Sequence, residues 1–345
     1  MIGRGLAALK LKGVINERLS CWAKPYAQSN TLNLPTSVLD VESSEMTAFV
    51  SKRPVLAFLI FTCIFTAPFW ALGIVSGDSA GGHGAYAVGS MWGPGLAALF
   101  TCRISRGSVA SLGWAWGEWR WQWLSYLWPL AVCVVTYGLV YASGLGGFPN
   151  PDTVSGLRKS LGWPNAGTWT VVSGWFVLLG TTGFIRGVVI ALGEEIGWRG
   201  FLSPILYARY GFTRGALLTG TAWAVWHFPI MFFSNYDSAT PWWFSTPCFV
   251  VEVLSLAVIM SWVRMRSGSL WTGALAHSSI NLFNQALFAP MTVAHGAVTA
   301  YVIDESGCVL PLVLLVTAII FWAKRHSLPR EIEDADGDSS ATTIT

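Results

Sequence analysis

Six side chains able to do chemistry interrupt otherwise apolar sequence: Glu194, Glu195, Arg199, His227, His277 and Asn281. Ionisable residues inside apolar helices are costly, which makes them functional candidates by default. Glu195 and Arg199 are four apart and can pair on one helix face. Glu194 is rotated by about 100° from Glu195 and is left free to face an interior. The spacing therefore predicts a structural pair, Glu195–Arg199, beside a free acid, Glu194. A plain charged helix end is the competing reading. His227 lies one turn after Trp223 in TAWAVWHFPI (221–230), where Pro229 loosens the helix. A lone histidine among aromatics is equally well a packed interior residue. His277 and Asn281 are again one turn apart in ALAHSSINLFNQ (274–285). The polar residues of that run mark a face turned to protein or to a cavity.

Together these groups suit hydrolysis. A desolvated glutamate can act as base on a water attacking a carbonyl, and histidine and asparagine donors can stabilise the oxyanion. Alternatively Glu194, His227 and His277 could hold a divalent metal, zinc first, that activates the water. The HExxH signature is absent, so such a site would be assembled from separate helices. Ser278 and Ser279 do not face His277, because adjacent helical residues point apart. A serine nucleophile is thus not indicated.

The elements that must position these residues are membrane helices. Only 11% of the 345 residues are charged, 53% are hydrophobic, and mean hydropathy is +0.52. Soluble domains carry about 25% charge. Twenty tryptophans suit interfacial belts. The six cysteines are scattered singly and form neither a disulfide framework nor a thiolate metal motif. Apolar runs at roughly 54–77, 87–103, 122–145, 169–192, 215–234, 242–263, 270–289 and 308–323 predict an all-α polytopic protein of about eight transmembrane helices. The expected organisation is a polar basic segment 1–53, a membrane domain 54–323 and an acidic disordered tail 324–345. Residues 26–48 read as loop or disorder, and the first twenty as a basic amphipathic helix on the membrane surface or a loose tail. The N-terminus has no secretory signal pattern.

Charge distribution orients the helices. With both termini cytoplasmic and 193–214 counted as a cytoplasmic connection, 18 of the 21 Lys and Arg fall on or border the inner side. Arg158 and Lys159 lie outside, and Arg186 is intramembrane. Counting ~1.5 Å per residue from the inner ends puts His277 roughly 10–13 Å deep and His227 roughly 18 Å deep, with Glu194 near the inner edge. Arg186 and Glu252 have no assigned role, and a cross-helix pair between them is one option.

The motifs EEIGWR (194–199), WAVWH (223–227) and HSSIN (277–281), in this order on successive helices, resemble the CPBP family. That family comprises type II CAAX prenyl endopeptidases together with bacteriocin-processing and Abi-like immunity proteins. The resemblance covers about 191–285 and implies a protease core at about 169–290 within an eight-helix bundle. It implies an intramembrane endopeptidase with Glu194 as base on the hydrolytic water and His227 working with it. His277 and Asn281 would stabilise the oxyanion, and Glu195, Arg199 and Trp223 would support them. Family members are called metalloproteases, although a metal-free glutamate mechanism has also been argued. The second motif usually opens with phenylalanine, and here it opens with Trp223. The implied partners are a membrane-associated protein or peptide substrate and the lipid bilayer, with no nucleic acid. The implied location is a cell membrane, bacterial plasma membrane first. A non-catalytic membrane partner, such as an immunity or scaffold protein, is the alternative. A transporter is weaker, because the chain has no internal repeat.

Overall fold

The apolar runs fold as helices because a backbone in lipid must satisfy its own hydrogen bonds. The computed structural model describes residues 38–76, 85–234 and 239–329. The helices are α1 Val38–Lys52, α2 Pro54–Ser76, α3 Ala85–Ile104, α4 Trp119–Ala142 and α5 Pro151–Ser160, then α6 Thr168–Leu178, α7 Phe184–Glu195, α8 Ser203–Phe233, α9 Trp242–Ser267, α10 Trp271–Asn281 and α11 Val309–Ala323. Three π-helical turns join or extend them: Leu179–Gly183 between α6 and α7, Ile196–Leu202 between α7 and α8, and Leu282–Phe288 after α10. Among the described residues, five continuous helical stretches are long and apolar enough to cross a membrane: Pro54–Ser76, Trp119–Ala142, Thr168–Phe233, Trp242–Ser267 and Val309–Ser327.

The 66-residue stretch Thr168–Phe233 would measure about 100 Å if straight. It is not straight. Gly211 takes φ 72° and ψ 173°, a left-handed value that glycine adopts without a Cβ penalty. The chain folds back there: the rings of Trp198 and Trp226 lie 6.0 Å apart. Everything in the site depends on this reversal, because it lays the second half of the stretch against the first.

Three expectations are corrected. The connecting segment expected at 193–214 narrows to the reversal around Gly211: the helix runs on through the π turn, and 193–203 are all buried. The charges that suggested a helix end are paired internally, so the chain did not have to leave the bundle at them. Residues 38–48, expected as loop, belong to α1, which packs on α2 and α3 and buries Val50. Arg186 and Glu252 do not pair: Arg186 is exposed and Glu252 is buried. The basic helix anticipated over the first twenty residues and the acidic tail beyond 329 lie outside the described residues.

Helix α9 is the central post. Two thirds of its most apolar window, 67%, is buried, against 22% for α11. The exposed face of α11 carries Leu312, Val316, Ile319 and Ile320, a surface suited to lipid. At the end of the bundle carrying α5, Gly146–Gly147 pairs antiparallel with Val293–Ala294. That short ladder ties the segment after α4 to the segment after α10.

Candidate active site

The end of α7 carries the acids. Glu194 and Trp198 are one turn apart, as are Glu195 and Arg199, so each acid has a donor on its own helix face. Glu194 Oε2 accepts from Trp198 Nε1 at 3.3 Å and from Trp223 Nε1 at 2.6 Å. Glu195 Oε1 accepts from Arg199 Nη1 at 2.8 Å and from His277 Nδ1 at 2.9 Å. The Glu195–Arg199 pair anticipated from the spacing is present and fully buried. Buried charge is tolerated only when paired and hydrogen-bonded, and this pair meets that condition on one side. Glu195 Oε2 and Arg199 Nε have no partner among the described residues.

The neighbouring helices hold this pair in place. The guanidinium of Arg199 lies 4.1 Å from the Trp223 ring centroid and reaches Met260 Sδ at 3.4 Å. From α9, Arg264 Nε donates to the Arg199 carbonyl at 3.0 Å and Arg264 Nη2 to the Leu112 carbonyl at 3.3 Å. Arg264 is therefore a brace for the π turn, not a solvated inner-side charge. From α10, Gly273 backs directly onto Glu195: a Cβ there would run into Oε2. Only glycine lets α10 approach closely enough for His277, one turn further on, to reach the carboxylate.

The two histidines are oriented differently. His227 Nδ1 lies 2.9 Å from the Trp223 carbonyl. A carbonyl only accepts, so Nδ1 carries the proton and Nε2 presents a lone pair. Its ring packs on Trp226 at 4.6 Å and Phe249 at 5.1 Å. His277 donates through Nδ1 to Glu195, not to Glu194, and stands edge-on to Trp223 at 5.3 Å. Trp223 therefore sits at the centre: its N–H binds Glu194, its face carries Arg199, and the two histidines flank its ring, His227 at 6.2 Å. Asn281 is half-buried one turn beyond His277, and its amide makes no hydrogen bond among the described residues.

Sequence reasoning passed over three contributors. Trp198 is four residues from Glu194, the same spacing used to pair Glu195 with Arg199, so that signal was present. Gly273 and Arg264 carried no readable signal, because each acts through packing of separate helices. The metal set anticipated from the sequence is Glu194, His227 and His277. Among the described residues no group of three or more His, Cys, Asp or Glu side chains is arranged to hold a metal ion. Glu194 Oε2 is taken by two indoles, whereas each histidine engages Nδ1 and leaves Nε2, the nitrogen that could face an ion, without a bond among the described residues.

Apolar helices enclosing a buried, hydrogen-bonded cluster define a multi-pass membrane protein with an internal polar site. Residues 173–283 of it match the family model described as type II CAAX prenyl endopeptidase Rce1-like. All the site residues named above except Arg264's partner Leu112 fall within that match. Over 108 residues the chain is 32% identical to CAAX prenyl protease 2 of Methanococcus maripaludis, a stretch that covers 30% of this chain and 39% of that protein. The likeness thus spans well under half of the relative's length.

Proposed function

We propose that the chain is an intramembrane endopeptidase acting on membrane-associated protein or peptide substrates. The observation that carries this reading is Glu194: a carboxylate buried among apolar helices, held through one oxygen by two indole donors. Such a group is aimed and kept out of bulk water, which is what a general base on a single water needs. In the proposed reaction Glu194 takes a proton as the water oxygen bonds to the scissile carbonyl carbon. It returns that proton to the leaving nitrogen as the C–N bond breaks. His227, with its Nε2 lone pair, orients the water. His277 and Asn281 donate to the oxygen that gains charge. Glu195 and Arg199 fix His277 and the π turn. The steps use protein groups alone, and metal analysis of the purified protein with chelator titration tests whether an ion contributes.

The arrangement proposed for the bundle is eight spans with both termini cytoplasmic, counting the reversal at Gly211 as a boundary between two of them. A cell membrane is the proposed location. The test is whole-membrane mapping of peptide ends in cells expressing wild type, Glu194→Ala or His227→Ala. Substrates cut by wild type should accumulate uncut in both variants. Identical end profiles in all three would sink the reading.

A further inference from the structure

The end of the bundle away from α5 is crowded with tryptophan and arginine. There the start of α4 meets the last turns of α9 and α11. Trp121 of α4 packs on Trp262 of α9 at 6.0 Å, and Trp262 packs on Phe321 of α11 at 5.2 Å. Two guanidinium groups reach the half-buried Trp121 ring, Arg120 at 5.0 Å and Arg266 at 6.0 Å from its centroid. Arg120 is exposed and pairs with Glu118 at 2.9 Å. Arg266 is half-buried and makes no hydrogen bond or ion pair among the described residues. Among those residues, then, two cations on one ring have one carboxylate between them. Beside them Trp116 and Trp119 are exposed and pack on each other at 5.2 Å, and Trp116 packs on Trp271 at 5.9 Å. Clustered indoles of this kind mark the depth of lipid headgroups.

An excess cation at headgroup depth favours an anionic partner, and the neighbouring surface selects its kind. Arg120 heads an exposed stripe of α4, followed at helical spacing by Trp123, Leu127 and Val134. A phosphate held by Arg120 and Arg266 therefore has an apolar track running away from it along the bundle. A soluble anion gains nothing from that track, whereas the acyl chains of a phospholipid bury against it. We propose that Arg120, Arg266 and Trp121 form a site for the phosphate of an anionic phospholipid, whose chains lie along Trp123, Leu127 and Val134. Guanidinium groups suit phosphate oxygens because they present paired donors, and the Trp121 ring steadies both of them. None of these residues belongs to the cluster around Trp223. The site thus goes beyond the endopeptidase reading and stands whether or not Glu194 cuts a peptide.

The test uses the full chain purified in neutral detergent, with bound lipid counted by native mass spectrometry at fixed ionic strength. Phosphatidylglycerol should bind about tenfold tighter than phosphatidylcholine with the same chains. Arg266→Gln should shrink that ratio to about threefold or less. Arg209→Gln should leave it unchanged: Arg209 also sits over an aromatic ring, Tyr210 at 5.3 Å, but on α8. Glycerol 3-phosphate in large excess should not displace phosphatidylglycerol. Equal binding of the two lipids by wild type overturns the site, and that comparison needs no variant to fold. A full ratio retained in Arg266→Gln overturns it as well. An equal fall in Arg209→Gln would mark attraction to surface charge in general and overturn it too. Displacement by glycerol 3-phosphate would leave a free-phosphate site and sink the lipid assignment.

Discussion

The bundle buries acids at two levels and treats them in opposite ways. Around Trp223, two carboxylates share a guanidinium, two indole N–H groups and an imidazole. Towards Glu252, Asp304 accepts from Asn284 and Glu305 from Gln285, while Glu252 Oε2 has no partner among the described residues. The first cluster gives each acid at least two donors, with Glu195 Oε2 and Arg199 Nε left over among the described residues. The second leaves a buried carboxylate oxygen, Glu252 Oε2, without a donor among the described residues. Burial alone does not mark a catalytic group; the inventory of donors separates a preorganised site from a buried acid short of donors.

Substitutions sharpen that contrast, beginning with the largest expected effect. Glu194→Gln keeps the shape but removes the base, and should lower cleavage by about 10²–10⁴-fold with little change in thermal unfolding, read by peptide-end mapping and by unfolding in detergent. Glu195→Gln strands the fully buried Arg199 and should cost about 3–5 kcal/mol of stability. A variant as stable as wild type but inactive would show that the two acids have exchanged roles. Gly273→Ala presses a methyl group on Glu195 and should cost about 1–3 kcal/mol, with a matching loss of cleavage. Trp223→Phe removes the 2.6 Å donor to Glu194 and should cost about 1.5–3 kcal/mol. Trp198→Phe, with its 3.3 Å contact, should cost less. At the Glu252 end the sign reverses. Glu252→Gln removes an acid with an unpartnered oxygen and should leave stability unchanged or slightly raised, by ~1 kcal/mol or less. If it destabilises as strongly as Glu195→Gln, the two regions are not different in kind.

Part of this was legible in the sequence. Helices were, because charge is scarce and the apolar runs are long. The Glu195–Arg199 pair was, because four-residue spacing sets the geometry within one helix. The extent of the helix around it was not. Internal pairing hides a charge from solvent, and hydropathy reads the same residues as an end. The Trp223 to Glu194 bond was out of reach for a related reason. It joins residues 29 apart, and only the reversal at Gly211 brings them level. The resemblance marked tryptophan in place of phenylalanine at 223 as a departure from the motif. Its consequence is an N–H, which phenylalanine lacks.

That one ring touches both halves of the site, so mutational effects there will not add. In a double-mutant cycle, Trp223→Phe should cost less stability on a Glu194→Gln background than it does alone. Cycles pairing Trp223 with Arg199 or His277 should show the same shortfall through face and edge contacts. Position 223 is a hub at which four polar groups become thermodynamically one.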